Sequence, residues 1–430
     1  MLVFYLLIHN KKVQLMQEQI TIIGAGVVGA AIALALQKNG HKVLLLDREK
    51  PCAGASFGNA GAIVNGSCVP TATTGILFDA LKMLSQSNSA LSIRPSYLHK
   101  ISPWLLRFIW QSRTTAVSQN AQNLHALSQH AVQSWRTLTN ETPLDKLLNA
   151  KGWLKVYQSA RSFDNTLNSR KLLDQTDTKY QCLNKAEIHD LEPNLAPSFS
   201  HGFFQEDSLN INDPQQLVQG MVDLFVSRGG HYQEFDVDKI EERNGSVQLK
   251  GQKGHLATKK VVIATGAWSR CLAKQLGDDV PLDTERGYHL MLPESTRSLL
   301  SRPVVNGDNA FVLSPMSKGM RMTSQIEFAG LNAKPNYNKI RKLLPLAQQM
   351  LPKLETREES IWLGHRPSLP DSLPVLGYST NSNNIVYAFG HQHLGMTLAA
   401  ITGEIIADLL SNKEPKVPLF PYRANRFSLL

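Results

Sequence analysis

The sequence predicts an α/β (α+β) chain of two domains: a Rossmann-type dinucleotide-binding domain and a second, mainly antiparallel β-sheet domain, both discontinuous in sequence. Three observations predict it. A glycine-rich turn joins a β-branched strand to a helix of small residues within 20–47. A buried strand with a Thr-Gly turn returns to that pattern at 259–268. Segments of antiparallel character lie between the nucleotide-type segments.

The first element is ITIIGAGVVGAAIALALQKNGHKVLLLD. Ile20 to Ile23 read as a buried strand. Gly24, Gly26 and Gly29 make G-x-G-x-x-G. Gly24 permits the tight turn, Gly26 lets the backbone approach a pyrophosphate, and Gly29 lets the helix pack on the strand. Ala30 to Leu36 form the helix, whose free N–H groups face phosphate. Gly40 ends it. Val43 to Leu46 form a second strand closing on Asp47, placed to bind a ribose hydroxyl. An acid there, rather than an arginine, points to NAD or FAD without a 2′-phosphate.

Gly-rich 52–66 reads as a loop pressed against a ligand. Helical spacing marks Phe78 to Leu84 and Trp104 to Trp135, with Trp104, Phe108, Trp110 and Trp135 read as core. Gly152 to Gln158 alternates as a strand. Asn184 with Glu187 marks a capped helix start. Asp213-Pro214 starts a helix running to Arg228 and stopping at Gly229-Gly230. Tyr232 to Ile240 and Ser246 to Lys250 read as strands. Arg286 to Leu292, Ala310 to Leu313 and Met320 to Glu327 read as an antiparallel set. Leu394 to Leu410 is a final helix.

Composition narrows the function. The chain has 430 residues, 42% hydrophobic and 19% charged. That excludes a disordered chain, a collagen and a coiled coil. No apolar run reaches the roughly 20 residues that span a bilayer. Cys52, Cys68, Cys182 and Cys271 make no C-x-x-C pair. No metal site is expected, and reduced thiols fit a cytoplasmic setting. The net charge of +10 favours anionic surroundings: a membrane face, phosphates or a carboxylate substrate. Without a basic stripe interleaved with aromatics, no nucleic-acid partner is expected. Met1 to Ile8 are apolar and precede His9-Asn10-Lys11-Lys12, the wrong order for a secretory signal. Residues 1–15 are expected to be an extra leader ahead of a start near Met16, the alternative being a short membrane-touching tail.

Val261 to Ile263 followed by Ala264-Thr265-Gly266-Ala267-Trp268-Ser269 resembles the D-amino-acid oxidase superfamily of flavoproteins, which carries this element beside FAD. Ser56-Phe57-Gly58-Asn59-Ala60-Gly61, the 361–378 stretch IWLGHRPSLPDSLPVLGY and the 387–404 stretch YAFGHQHLGMTLAAITGE look like bacterial D-amino-acid dehydrogenases. The resemblance spans about Gln19 to Pro415. It implies a FAD-binding domain of 16–100, 208–285 and 366–415, and a substrate domain of 101–207 and 286–365.

The resemblance implies FAD contacts along the whole chain. The first turn would supply Gly24, Gly26, Val27, Val28 and Gly29, with Asp47 and Arg48 at the next strand. Ser56, Asn59, Ala60 and Gly61 come from the loop. Val237, Thr265, Gly266 and Trp268 follow, then Gly364 and Gly390. His393, Leu394, Gly395, Met396 and Thr397 open the last helix, whose N-terminus would face the flavin pyrimidine edge. Arg366 is fixed in extended backbone by Pro367 and offers a planar fork for a carboxylate; the family role is binding the substrate carboxylate. Tyr288 would donate to that carboxylate, and His391 would act catalytically. The 56–61 loop lacks a histidine and no cysteine adjoins Arg366 or Gly390, so the FAD is expected to be non-covalent. The loop departs from its relatives at Gly58 and Ala62, where they have Ala and Gln.

The implied activity is oxidation of a small D-amino acid, or of a cyclic D-imino acid such as D-proline or D-hydroxyproline, by hydride transfer from Cα to flavin N5. Electrons would pass to a quinone or another acceptor. The enzyme would be cytoplasmic, with peripheral contact to the inner membrane face. The alternatives are an oxygen-using amine or glycine oxidase, a flavin-dependent RNA-modification domain and a non-catalytic FAD-binding scaffold.

Overall fold

The computed structural model describes residues 20–76, 91–243 and 245–428. The expected leader at 1–15 and the helical pattern at Phe78 to Leu84 lie outside the described residues.

Six strands form the nucleotide-side sheet in the order His231–Glu234, Val43–Asp47, Ile20–Ile23, Lys260–Ile263, Ser382–Phe389, Val375–Ser379. All neighbours are parallel except the last pair. Ile22 stands between Leu45 and Val262. The Ile20–Ile23 strand is buried along its length, as its unbroken β-branched and apolar character requires of a strand covered on both faces. The Val27–Lys38 helix follows the glycine turn and packs on the last helix, Gly395–Leu410. At their contact a Cβ on Gly403 would sit 2.8 Å from Ala31 O. The stretch Gln392–Leu410 is long and apolar enough to cross a bilayer, but 72% of that window is buried inside the protein. Its apolar side chains form core.

A small antiparallel sheet, Lys239–Arg243, Ser246–Gly251 and Gly254–Thr258, shares a core with Val261 and Ile263. The expected strand Tyr232 to Ile240 is therefore two strands. Its first half completes the parallel sheet, and its second half opens the small one.

The second large sheet runs Ser360–Ser368, Asp283–Met291, Gly319–Phe328, Phe311–Met316, Val304–Asn306, Trp153–Tyr157, His201–Gln205, Gln181–Asn184, with Leu91–Ile93 beside Gly319–Phe328. Most pairs are antiparallel; Val304 with Leu154 and Ile326 with Leu91 are parallel. Boundaries expected at 285/286 and 365/366 fall inside strands of this sheet.

Two local expectations have visible causes. Asp213 Oδ1 accepts from Gln216 N at 2.9 Å and starts the helix Pro214–Ser227. Asn184 and Glu187 form a reciprocal capping box. Two others need correction. The helices Thr114–Ser128 and Ala131–Thr139 were expected to belong with the substrate domain. Leu124, Leu127 and Trp135 instead join the nucleotide-side core, with Trp135 Nε1 donating to Met396 O at 2.8 Å. Trp110 is not core: it is 50% exposed, whereas Trp104 and Trp135 are buried.

Candidate active site

One cavity of about 900 Å³ runs from the glycine turn to the second large sheet. That volume lies at the upper end of ligand sites. Every expected site residue lines it except Gly29 and Gly61.

At the nucleotide end, Gly24 has φ +109 and its N–H donates to Leu46 O at 2.7 Å. A Cβ on Gly29 would overlap Gly24 O, so this glycine permits the close helix–strand approach. Asp47 Oδ2 accepts from Ala25 N at 2.6 Å and Oδ1 from Glu49 N at 3.2 Å. Burial raises its carboxyl above the ordinary range, against the pull of the Ala25 N–H. Ser56 Oγ accepts from Val27 N at 3.0 Å, which folds the 56–61 loop over the helix start. Arg48 lies 3.8 Å above the Trp268 ring, and that ring meets His365 edge-on at 5.5 Å. Together these residues fit a dinucleotide: a glycine cradle, a helix N-terminus and an acid at the neighbouring strand end.

The loop is held from the second large sheet, by Arg321 on the Gly319–Phe328 strand. Arg321 Nη1 donates to Phe57 O at 2.9 Å and Asn59 O at 2.7 Å. Burial pushes the Arg321 guanidinium down to about 10. Asn59 Oδ1 accepts from Gly61 N at 2.7 Å, and Gly61 O accepts from Ile211 N. Gly61 thus shapes the loop from behind the cavity wall.

Strand alternation divides the second large sheet into two faces. Glu285 stands opposite Arg366, Gly287 opposite Gly364, and His289 opposite Trp362. A Cβ on Gly287 would overlap the Arg366 guanidinium, which therefore lies directly over this glycine. Arg366 Nη1 donates to Gln325 O at 2.8 Å. Gln325 sits at a register shift with φ +77, a left-handed conformation that tilts its carbonyl out of the ladder. Burial lowers the Arg366 guanidinium and Glu285 opposes that; burial raises Glu285 and Arg366 opposes that.

Trp362 closes the wall. A Cβ on Gly58 or Gly364 would overlap its ring. It stacks on His289 at 5.2 Å and meets Phe57 edge-on at 5.5 Å. Gly58 thus has a local cause: the indole occupies the space an alanine methyl would take.

Two expectations about side chains need correction. The Tyr288 hydroxyl does not face Arg366. It donates to Glu327 Oε2 at 2.5 Å and accepts from Asn336 N at 3.1 Å, and the residue is 1% exposed. Tyr288 lies one residue from Gly287, so its side chain belongs to the other face. Glu327 also meets Arg94 at 3.2 Å, Lys339 at 3.3 Å and Arg286 at 3.5 Å. His391 is likewise engaged: its Nε2 pairs with Thr402 Oγ1 at 3.0 Å on the last helix, and burial pushes it down to about 4. That bond ties the ring to the last helix, while the residue still lines the cavity.

The His393 ring opens onto the cavity although protein surrounds it. Burial pushes it down to about 4, and Arg366 and Lys155 act in the same direction. The sequence reading missed Lys155 and Trp153, which line the cavity from their strand. Their signal was the alternation with buried Leu154 and Val156. It also missed Gly287, Arg321, Gln325 and Trp362, whose roles depend on partners distant in sequence. Among the described residues no group of His, Cys, Asp and Glu could hold a metal ion.

Known proteins resemble this chain in sequence and fold. A D-amino-acid oxidase of Bradyrhizobium diazoefficiens is 34% identical over 418 residues, covering 95% of this chain and 99% of the relative. A D-amino acid dehydrogenase of Mesorhizobium japonicum is 26% identical, covering 93% and 97%. The crystal structure of glycine oxidase from Geobacillus kaustophilus superposes with a TM-score of 0.74 at 23% identity, covering 95% and 99%, and supports the fold. Residues 19–409 match the family described as DAO, FAD dependent oxidoreductase. The chain belongs to the DAO family of FAD-dependent oxidoreductases.

Proposed function

We propose that the protein oxidises D-amino acids, or a cyclic D-imino acid such as D-proline or D-hydroxyproline, to the imine, which water hydrolyses. The carrying observation is the Arg366 guanidinium, inside the cavity and fixed across Gly287 by the Gln325 carbonyl. The two relatives described above, named as acting on D-amino acids, support the reading.

Bound FAD supplies the acceptor for the Cα hydride and passes the electrons on, by this reading to a quinone or another acceptor. Asp47, the Gly24–Gly29 turn and Ser56 would hold its ribose and pyrophosphate. Arg48 and Trp268 would pack its adenosine end. Gly395, Met396 and Thr397 would offer N–H groups of the last helix to the pyrimidine edge. The FAD would be held non-covalently, with no cysteine used for attachment. Cys52 and Cys68 are buried, Cys182 is exposed, and Cys271 lines the cavity beside the Gly266–Trp268 turn.

Arg366 binds the substrate carboxylate as a charge-assisted fork and orients Cα. Its Nη1 is taken by Gln325, which leaves the rest of the fork for the substrate. Neutral His393 adds no charge beside Arg366. Trp362 and Phe57 exclude water from the wall of the site. A substrate bound with a neutral amine needs no dedicated protein base. The protein would work at the cytoplasmic side, in peripheral contact with the membrane.

The test is anaerobic mixing of FAD-loaded protein with D- and L-amino acids, including D-proline and cis-4-hydroxy-D-proline. Bleaching of the oxidised flavin band by D-substrates alone supports the proposal. A flavin that no amino acid bleaches refutes it. The 34% identical oxidase keeps a second reading in view, with oxygen as acceptor. Peroxide formed in step with substrate would favour that reading, and dye reduction without oxygen uptake favours the dehydrogenase.

A further inference from the structure

We infer that the outer stripe of the Leu98–Gln111 helix docks on an anionic lipid bilayer. This names the surface for the membrane contact proposed above and is independent of the substrate. Leu98 is 51% exposed, Leu106 69%, Ile109 37% and Trp110 50%. They are four of the seven large hydrophobic side chains exposed among the described residues. All four fall on one side of a single helix at 100° per residue. The opposite side is anchored: Ile101 and Trp104 are buried, Trp104 stacks on Phe108 at 5.1 Å, and Trp104 lies 5.3 Å from Phe328. A soluble monomer rarely gathers exposed apolar side chains so tightly without a partner.

Charge selects the partner. Residues 80–140 contain Lys82, Arg94, Lys100, Arg107, Arg113 and Arg136 and no Asp or Glu. This acid-free stretch carries six of the ten net positive charges. Arg94 is paired with Glu327 inside the protein. Lys100 and Arg113 are exposed, and Arg107 is half-buried. Arg113 lies 3.5 Å over the Trp110 ring, so charge and aromatic surface are presented together. An apolar stripe bordered by cations suits a helix lying in the headgroup region of an acidic membrane. A nucleic-acid backbone would satisfy the cations and leave Leu98, Leu106 and Ile109 without a use.

The surface is tied to the site. Trp104 Nε1 donates to Ser368 O at 3.3 Å, on the strand that carries Arg366. Docking would fix that strand end against the bilayer, where a lipid-soluble electron acceptor resides.

The test is flotation of the FAD-loaded full chain with phosphatidylcholine vesicles, pure or containing about 30% phosphatidylglycerol. Wild type should float with the anionic vesicles, less with added salt, and only weakly with pure phosphatidylcholine. Leu106→Ser with Trp110→Ser should lower partitioning at least about tenfold, with flavin spectrum and melting temperature unchanged. If that pair destabilises the protein, Lys100→Glu with Arg113→Glu should still lower it about tenfold. Wild type that stays off both vesicles, or folded variants that float as wild type does, would overturn the inference. So would salt-sensitive RNA binding without vesicle binding. The flavin-bleaching test does not depend on any of these outcomes.

Discussion

The Arg366 guanidinium rests on Gly287, in the space a side chain would fill, and reaches past that strand to the carbonyl of Gln325. Three adjacent strands thus cooperate to aim one cation into the cavity. The strand of Arg366 carries it, the next gives way beneath it, and the third bulges to hold it.

Gly287→Ala should displace Arg366 without touching FAD. A methyl group there overlaps the guanidinium, and a shift of about 1 Å can cost about 100-fold in turnover. Steady-state kinetics should show kcat/KM down by about that factor, with FAD content as in wild type. Unchanged kinetics would mean that Arg366 is not held in this way.

Gly58→Ala should destabilise the protein. The new methyl meets the Trp362 ring, an overpacking that costs about 1–3 kcal/mol. Trp362→Phe in the same chain should return most of it. Thermal melts of the two single variants and the double variant measure the coupling.

Asp47→Asn keeps the shape of the side chain and removes its charge. The bond from Ala25 N to this oxygen is short, and charge-assisted bonds are worth about 1.5–3 kcal/mol. FAD affinity should fall about tenfold or more, read by flavin release on dilution. The FAD that remains bound should still be reduced by substrate.

Acid should destabilise the holoprotein between about pH 6.5 and pH 4. Burial holds His365, His391 and His393 down at about 4 and His289 at about 3. The unfolded chain titrates near 6.5, so it binds more protons than the folded one across that window. Stability from the neutral rings is therefore full above about 6.5 and lost as pH falls. The melting temperature in excess FAD should drop through this range. His391→Gln should flatten the drop.

Much of this was legible because it is local. The Gly24–Gly29 turn, the Ala264–Ser269 element, the Asp213-Pro214 start and the Asn184–Glu187 box each lie within a few residues of sequence. Their physics is backbone freedom and capping, which short motifs carry. The rest depends on partners far along the chain. A strand pattern says that residues alternate, but not which set faces the ligand, so Tyr288 was placed one face wrong beside Gly287. The bulge at Gln325 exists only in pairing with the Asp283–Met291 strand. The apolar spacing of 104–135 could not say that Trp135 would meet Met396, nor that Trp110 would stay half exposed with Arg113 over its ring.

The most direct measurement is anaerobic rapid mixing of wild type and Arg366→Ala with both enantiomers of one amino acid. In wild type the D-enantiomer should bleach the flavin and the L-enantiomer should not. In Arg366→Ala, FAD should remain bound and reduction by the D-enantiomer should slow by about 30-fold or more, since the lost charged contact is worth about 2–5 kcal/mol. Reduction at the wild-type rate and substrate affinity in that variant would contradict the account.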